Sequence, residues 1–324
     1  MKLQLLIPQY DETDEVVKPM LDSLLIQQAI NFDDIEILYG NDGSDIKLSQ
    51  EFLDSYPFSI KYYQFEHTSP AGCRQRLFDK STAEYVMFCD ADDMFFTAAA
   101  LFTIFSFLEK KPDALICDFV EESVCRETRA VKFFTHKRDH LFVHGKIYRR
   151  QHIIDNNIIW REDIRYHEDG TYNLVAIKTS KNVEFCNIPL YLWKWRDDSV
   201  CRKDPLYVLK TYTRMIHSNG YLISDFLVRH MTNEAKYHCA AFIYNTYFML
   251  NKPIWLDPMN AKYRYETEKC FQEYYKRHRE LFNSLDDSTK AQIISGNKRR
   301  VLNEGVLLEK FTFEDWINHI ETLD

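Results

Sequence analysis

Apolar residues in the first 120 positions occur in short runs, and amphipathic stretches separate several of them. The runs have the length of strands buried on both faces, and they read LQLLIP, DIEILYG, IKYYQF, YVMFC and DALICDF. Between the first two, VVKPMLDSLLIQQ has helical spacing. Strands that alternate with helices form βαβ units. The pattern therefore predicts an α/β domain with a mostly parallel sheet.

From residue 205 the pattern changes to long helical segments rich in Tyr and Phe, such as PLYVLKTYTRMIHSNGYLISDFLVRH and AKYRYETEKCFQEYYKRHRELF. In TFEDWINHIETLD, Thr312 is followed by Asp315 three residues on, which indicates a capping box at the start of a helix. The stretch NKPIWLDPMN is predicted to be a loop. We therefore divide the chain into a catalytic domain, residues 1–204, and a helical C-terminal domain, residues 205–324.

Length and composition are those of a globular protein, with 324 residues of which 45% are hydrophobic. No run approaches the roughly 18 apolar residues of a spanning helix, and the N-terminus turns polar too early for a signal peptide. A cytoplasmic protein is expected. The eight cysteines form no CxxC pair, and several lie inside apolar runs, so reduced thiols are expected rather than disulfides.

The net charge of −8 argues against general nucleic-acid binding. Residues 126–150 depart from this balance, since they contain eight Lys and Arg against two Asp and Glu, with three histidines interleaved among phenylalanines. Two interpretations stay open: a solvated basic surface, or a patch that faces a polyanionic acceptor.

Polar clusters follow three of the predicted strands, as PQYDE, NDGSD and DADD. Ligands of parallel α/β sheets bind beyond the carboxyl ends of the strands, so these clusters are expected at one crevice. Asp90 and Asp92 can converge on one Mg²⁺ or Mn²⁺, whose open positions receive a diphosphate. Asp42 offers an acceptor for ribose hydroxyls or a base edge. The alternative for each cluster is a solvated turn.

The order and spacing of four segments resemble glycosyltransferase family 2, whose members have a GT-A fold. The segments are LIPQYDE, DIEILYGNDGSD, SPAGCRQRLFDKSTAEYVMFCDADD and RYHEDGTYNLVAIKTS, the last followed by NIPLYLWKWRDDSVCRK. The resemblance covers about residues 1–204. It implies a metal-dependent, inverting transfer of a sugar from a nucleotide diphosphate, most commonly UDP, to an acceptor hydroxyl.

The resemblance also implies roles for individual residues. Asp169 is the expected catalytic base, with Glu168 beside it in the Glu-Asp motif, and Asp90 and Asp92 form the Asp-x-Asp metal motif. The residues expected to bind the donor are Pro8, Tyr10, Asp11, Asp42, Arg74, Asp90, Asp93 and Arg202, the last against the leaving diphosphate. Two positions depart from the family pattern. Asn41 replaces the usual acidic residue before Asp42, and Gln75 stands where Asn commonly follows the arginine.

The chemistry agrees with these roles, because displacing a nucleoside diphosphate needs a cation at the phosphates and a carboxylate that takes the acceptor proton. Several alternatives stay open. Asp169 is also explained as a first-turn helix residue stabilised by the helix dipole. Arg74 is also explained by a structural ion pair, and Asp93 by capping a helix in FFTAAALFTIF.

Two rival functions remain. A haloacid-dehalogenase-like phosphatase also carries Asp-x-Asp after a strand, but Met94 stands where its motif has Thr or Val. A catalytically silent protein that binds a sugar or nucleotide is the other. The sequence does not identify the molecule that carries the acceptor hydroxyl. A polysaccharide, a glycoconjugate and a modified nucleic acid are the candidates, and the nucleic acid is not favoured. It does not indicate the oligomeric state either.

Overall fold

The structure is a computed structural model that describes residues 2–164, 166–199, 202–303 and 312–323. The chain divides into two compact units, Met1–Ser199 and Val200–Asp324. The functional division near residue 204 stays a prediction.

The strands described in the first unit form one sheet in the order β3-β2-β1-β4-β8-β6-β9-β5, and β7 pairs with β6. Their bounds are β1 Leu3–Gln9, β2 Ile35–Asn41, β3 Ser59–Gln64, β4 Tyr85–Phe88, β5 Met94–Phe95, β6 Ala114–Val124, β7 Val131–His136, β8 Lys146–Arg149 and β9 Val183–Trp193. The five apolar runs of the sequence correspond to β1, β2, β3, β4 and β6.

Strand directions make the sheet mixed rather than mostly parallel. Strand β1 is parallel to β2 and β4, β2 is parallel to β3, and β6 is parallel to β9. Strand β8 is antiparallel to β4 and β6, β7 is antiparallel to β6, and β5 is antiparallel to β9. Most of the difference arises in residues 126–150, where two short strands were not expected because neither carries a long apolar run. The pairing of β5 with β9 adds the remaining antiparallel contact.

The parallel strands bring the predicted polar clusters to one edge. Gln9 pairs with Asn41 at the ends of β1 and β2, and Leu6 pairs with Phe88 at the end of β4. The segments that follow these three strands therefore begin side by side. Every residue of β2 and β4 is buried, which explains why these strands are continuous apolar runs.

Helices of the first unit are α1 Asp14–Leu25, α2 Gln50–Asp54, α3 Pro70–Lys80, α4 Ala100–Leu108, α5 Arg150–Asp155 and α6 Glu168–Thr179. Helix α1 buries Val17, Met20, Leu21 and Leu24, which are three or four residues apart and so lie on one face. These side chains join one core cluster with the inward residues of β1 and β2, such as Leu5 and Ile37.

The helices described in the second unit are α7 Tyr207–Val228, α8 Thr232–Leu250, α9 Pro253–Leu256, α10 Ala261–Asn283, α11 Asp287–Asn303 and α12 Phe313–Glu321. The predicted capping box is confirmed, because Thr312 and Asp315 exchange both hydrogen bonds at the start of α12. The predicted loop NKPIWLDPMN was wrong, since it contains α9 and a 3-10 turn, Pro258–Asn260. Each begins with a proline, which lacks only an N–H that the first turn leaves unpaired.

No helix of the described residues is long and apolar enough to cross a membrane. The cysteines that the structure describes are free thiols, most of them buried.

Candidate active site

Arg74 connects two of the predicted motifs. It lies on α3, which Ser69 caps by accepting a hydrogen bond from the backbone N–H of Gly72. Its Nη1 donates to Glu168 Oε1 at 2.9 Å, and its Nη2 donates to Asp90 Oδ1 at 2.7 Å. A planar guanidinium suits such a two-armed bridge. The end of β4 and the start of α6 are therefore held together by a single buried cation.

Two aromatic rings support this bridge. The Arg74 guanidinium lies over the Trp160 ring at 5.0 Å, and Trp160 stacks on Tyr172 of α6 with ring centroids 4.1 Å apart. Arg74 Nε is buried and has no hydrogen-bond partner among the described residues, and the ring contact and the two carboxylates stabilise the group.

The acidic segment after β4 is ordered by a chain of hydrogen bonds. The backbone N–H of Asp90 donates to the Tyr191 hydroxyl at 3.0 Å, and that hydroxyl donates to Asp93 Oδ2 at 2.9 Å. The backbone N–H of Lys194 donates to Asp93 Oδ1 at 2.9 Å. Helix α4 begins only at Ala100, so Asp93 does not cap it, and that alternative was wrong. The buried Asp93 instead ties the β4 turn to β9.

Burial and mutual repulsion set the protonation of this segment. Burial, followed by the charges of Asp92 and Asp90, raises the pKa of Asp93 well above its ordinary value. Burial and then Asp90 also raise the pKa of Asp92. Burial is the largest effect on Asp90 and acts in the same direction, but the charge of Arg74, the nearby His144 and the hydrogen bond from Arg74 together outweigh it, and the pKa of Asp90 is lowered. A bound cation would stabilise the ionised forms of these three buried, mutually repelling carboxyls.

His144 adds a nitrogen to the acidic segment. It lies just before β8, it is 3% exposed, and its Nδ1 is 3.5 Å from Asp93 Oδ2. Among the described residues that Nδ1 has no hydrogen-bond partner. One ligand atom each from Asp90, Asp93 and His144 lie within 4.8 Å of one another. Burial lowers the pKa of His144 to about 4, so the imidazole is neutral, the form that coordinates a metal ion. These residues fit a divalent cation.

Asp92, the second predicted metal ligand, is paired with an arginine in this structure. Arg196 Nη1 donates to Asp92 Oδ2 at 3.0 Å and lies 3.7 Å from Glu12 Oε1. Glu12 accepts from the backbone N–H of Tyr10 at 2.6 Å. Burial raises the pKa of Glu12 to about 7, with Asp92 acting in the same direction. Neither Glu12 nor Arg196 was predicted as a site residue.

The nucleoside-binding residues predicted after β1 and β2 lie close together. Asp42 Oδ1 accepts from the backbone N–H and the hydroxyl of Thr68, both at 3.1 Å. His67 Nδ1 is 2.8 Å from the Asp42 carbonyl oxygen, and the His67 ring lies 4.7 Å from the Tyr10 ring. Gly43 has φ +80°, and a Cβ there would meet the His67 backbone nitrogen at 2.5 Å, so only glycine fits. Pro8 pairs with Gly40 inside the sheet.

Asn41 has a structural role that explains its departure from the family pattern. Its Nδ2 donates to the carbonyl oxygens of Ser44 and Ile46 and to the Tyr62 hydroxyl, while its Oδ1 accepts from the Ser44 backbone. A carboxylate cannot donate, so an acidic residue would remove these three hydrogen bonds. Ile46 would still accept from Gln9, and the Tyr62 hydroxyl from Leu48. The Ser44 hydroxyl in turn donates to Asp11.

Glu168 and Asp169 begin α6, after His167 in the left-handed region with φ 57°. Burial raises the pKa of Glu168 to about 7, and the neighbouring Asp169 charge acts in the same direction. Burial also raises the pKa of Asp169, against the Arg74 charge. The Asp169 carboxylate accepts from the backbone N–H of Gly170 at 2.8 Å. A carboxylate with a raised pKa is a better proton acceptor, which is the property a general base needs.

Arg202 falls in the second unit. Its expected place against a diphosphate stays a prediction, as do the catalytic, donor-binding and metal-binding roles of the residues in the first unit.

Comparison with known proteins finds matches to parts of this chain and to most of it. Residues 5–161 match the family model described as "Glycosyl transferase family 2". The chain is 24% identical over 221 residues to the uncharacterized glycosyltransferase EpsJ of Bacillus subtilis (strain 168), covering 61% of this chain and 62% of that protein. It is 21% identical over 349 residues to the minor teichoic acid biosynthesis protein GgaA of the same organism, covering 92% of this chain and 75% of that protein. The chain thus spans less than two thirds of EpsJ.

Solved structures share the fold. S. aureus TarS 1-349 superposes with a TM-score of 0.62 at 16% identity, covering 96% of this chain and 94% of that chain. Its complex with UDP-GlcNAc gives a TM-score of 0.63 at 17% identity, with the same coverage. The mannosyltransferase PcManGT from Pyrobaculum calidifontis, in complex with GDP-Man and Mn²⁺, gives a TM-score of 0.51 at 12% identity and covers 99% of this chain and 84% of that chain.

Proposed function

Because residues 5–161 match the model of glycosyltransferase family 2, we propose that the chain is a metal-dependent, inverting transferase of this family that moves a sugar from a UDP-sugar to an acceptor hydroxyl. The observation that carries the proposal is the Arg74 bridge between Asp90 and Glu168. The bridge brings Asp90, expected at the leaving diphosphate, near Glu168, which precedes the expected base. Displacement at a sugar carbon needs a group at the leaving diphosphate and a base at the acceptor, with the reacting carbon between them.

Asp169 is the proposed base. It takes the proton of the acceptor hydroxyl at a carboxylate oxygen as that hydroxyl oxygen bonds to the sugar and the bond to the diphosphate breaks. Its raised pKa keeps the proton affinity of the carboxylate high, and the backbone N–H of Gly170 orients it. Glu168 is held by Arg74, which suits a positioning role beside the base.

The proposed cation is Mn²⁺ or Mg²⁺ at Asp90. When bound, it offsets the negative charge that develops on the leaving phosphates. Two sets of residues are available to complete the site with Asp90. Asp92 is the partner expected from the sequence, and Asp93 with His144 is the set that the geometry brings together. Arg196, next to Asp92, supplies a second positive charge at this side.

The nucleoside would lie at the ends of β1 and β2. There the partly exposed Tyr10 ring offers a stacking face. The Asp42 carboxylate follows β2, with Oδ1 bonded to Thr68 and Oδ2 3.2 Å from His67 Nδ1. Asp11 and Pro8 line the same strand end. UDP is proposed as the nucleotide because TarS was solved with UDP-GlcNAc and with UDP.

The acceptor proposed is a hydroxyl of a cell-surface polymer. This follows from GgaA, whose description places it in minor teichoic acid biosynthesis, and from its coverage of 92% of this chain. A modified nucleic acid has no support from these relatives.

The test is donor binding followed by product analysis. UDP should raise the melting temperature with Mn²⁺ present and much less with EDTA, because a ligand at about 100 times its Kd stabilises the native state by about 2.7 kcal/mol. Asp92→Ala and His144→Gln should be compared for the metal-dependent rise in melting temperature with UDP. The variant that loses more of this rise identifies whether Asp92, or Asp93 with His144, completes the metal site with Asp90. Turnover of UDP-GlcNAc should yield a product with the anomeric configuration inverted, as read by NMR.

Three outcomes would contradict separate parts of the proposal. Equal stabilisation by UDP with and without metal would exclude the metal. A retained configuration would exclude the direct displacement. Metal-dependent binding without hydrolysis or transfer of any UDP-sugar would favour the catalytically silent alternative.

A further inference from the structure

Arg196 lies at the candidate active site, in the segment after β9 that has neither helix nor strand. Its Nη1 donates to Asp92 Oδ2 at 3.0 Å, and the same nitrogen lies 3.7 Å from Glu12 Oε1. Its Nε and Nη2 donate to the two carboxylate oxygens of Asp198 at 3.1 and 2.9 Å. One guanidinium is therefore divided between an acidic residue of the site and an acidic residue outside it.

The two carboxylates that accept from Arg196 differ in their exposure to water. The Asp92 side chain is 26% exposed, and that of Asp198 is 72% exposed. If Arg196 leaves Asp92, it keeps both hydrogen bonds to Asp198 and remains in contact with water. The release therefore strands no buried cation, and it costs the arginine one charge-assisted hydrogen bond.

The segment that carries Arg196 is fixed just before this residue. The backbone N–H of Lys194 donates to Asp93 Oδ1, and the backbone N–H of Trp195 donates to Glu122 Oε2, both at 2.9 Å. The arginine therefore stays within reach of Asp92 whether or not the two are paired. A competing group held in this way acts at a high effective concentration, so it competes well with a ligand that arrives from solution.

We propose that Arg196 competes with the divalent cation for Asp92. The inference rests on the proposed function, which supplies the cation at Asp90. A cation at Asp92 and the guanidinium 3.0 Å from the same carboxylate would repel each other, so each lowers the affinity of this carboxylate for the other. Arg196 thus neutralises Asp92 when no cation is bound, and its release from Asp92 accompanies binding of the cation.

The size of the effect follows from how often the Arg196–Asp92 pair is formed. The apparent affinity of a ligand is reduced by the fraction of molecules in which its site is available. A charge-assisted hydrogen bond that water screens in part favours the paired state by about tenfold. With Asp92 paired in about nine molecules of ten, the apparent Kd for the cation is about ten times that of a protein without the pair.

The test is Mn²⁺ binding to the full chain without nucleotide, measured from the electron paramagnetic resonance signal of free Mn²⁺. Arg196→Gln should bind Mn²⁺ about tenfold more tightly than wild type, because the competing cation is removed. Arg196→Lys keeps the positive charge, but one ammonium does not present the planar fork that contacts Asp92 and Asp198 at once. It should bind Mn²⁺ about threefold more tightly than wild type.

Arg129→Gln is the matched control. Arg129 pairs with Asp197 of the same segment at 3.1 Å, and both side chains are more than half exposed. This variant also removes one positive charge but leaves the Arg196–Asp92 pair in place, so its Mn²⁺ affinity should stay within about twofold of wild type. Melting temperatures show whether the variants are folded, and Arg196→Lys tests the proposal if Arg196→Gln is unstable.

Equal Mn²⁺ affinity in wild type and Arg196→Gln would overturn the proposal. Weaker binding by Arg196→Gln would overturn it as well, since that result would make Arg196 a support of the metal site. Repeating the measurement with UDP in excess separates the inference from the proposed function. If neither protein binds Mn²⁺ even with UDP, the metal-dependent function fails together with the inference. Equal binding by both proteins refutes the inference alone.

Discussion

Removing the Arg74 guanidinium should destabilise the first unit in a pH-dependent way. Arg74→Met keeps a side chain of similar length over Trp160 but leaves Glu168 and Asp90 without their shared partner. Breaking a buried ion pair by removing one partner typically costs about 3–5 kcal/mol. The Asp90 side chain is 30% exposed, so water screens the Arg74–Asp90 pair in part. We therefore expect the free energy of unfolding to fall by about 2–4 kcal/mol at neutral pH. For a unit of this size that is a fall in melting temperature of about 5–15 °C.

The pH dependence separates charge from packing. Without Arg74 the folded-state pKa values of Asp90 and Glu168 rise. A carboxyl whose folded pKa is raised costs stability as pH increases from its unfolded pKa to its folded pKa. With Arg74 present the pKa of Glu168 is about 7, so in Arg74→Met it lies higher, and the difference from wild type should be smaller near pH 4 than near pH 8. Urea unfolding of both proteins at these two pH values measures it.

Arg76→Met is the matched control on the same helix. Arg76 is 4.0 Å from Glu162, and both side chains are solvent accessible, so its loss should cost less than about 1 kcal/mol. Arg74→Lys should fall between wild type and Arg74→Met, because one ammonium does not present two parallel donors. A loss in Arg74→Met that is equal at both pH values would refute the electrostatic explanation and attribute the effect to the contact with Trp160.

Two further predictions concern single carboxyls. Asp169→Asn should lower turnover by roughly 10²–10⁴ while donor affinity stays within about threefold, as measured by steady-state kinetics and UDP titration; Glu168→Gln should be milder, and near-normal turnover in a stable Asp169→Asn protein would move the base elsewhere. Glu12→Gln should stabilise the protein by about 1–2 kcal/mol near pH 8 and leave it unchanged near pH 4, because burial raises the pKa of Glu12 to about 7 and its ionised form is therefore costly above that pH. An equal gain at both pH values in urea unfolding would show that the charge of Glu12 is not the cause.

The resemblance to glycosyltransferase family 2 and the GT-A fold class with its helical C-terminal region were predicted from the sequence, and the comparisons agree: residues 5–161 match the family model and solved structures share the fold. The strand prediction succeeded where burial of a strand produces an apolar run in the local sequence. Strands β1, β2 and β4 are buried on both faces and so appear as apolar runs. Strands β7 and β8 leave no such trace, since β7 is exposed along most of its length and β8 has four residues.

The residues of the candidate site were also predictable only where the local sequence marks them. Motif order located Asp90 and Glu168, but the side chain that joins them, Arg74, lies 94 positions from Glu168, and only the fold brings the two together. His144 was grouped with the basic patch because its neighbours along the chain are charged. Its burial depends on contacts with Tyr191 and Trp193 of β9, which the local sequence does not contain.

The arginines of the site neutralise its carboxyls only in part. Burial raises the pKa of Glu12, Asp92, Asp93, Glu168 and Asp169, so each of these carboxyls is less stable ionised than it would be in water. Arg74 offsets this at Asp90 and Glu168, and Arg196 offsets part of it at Asp92. Arg74 is buried and fixed by two hydrogen bonds and a ring, whereas Arg196 belongs to a segment without helix or strand and also pairs with the exposed Asp198. A cation that enters the cleft would therefore displace Arg196 from Asp92 at a lower energetic cost than it would displace Arg74. Arg74 is thus a fixed partner of its carboxylates, whereas Arg196 is the partner that a cation would replace more easily. A count of charges along the sequence does not distinguish these two arginines.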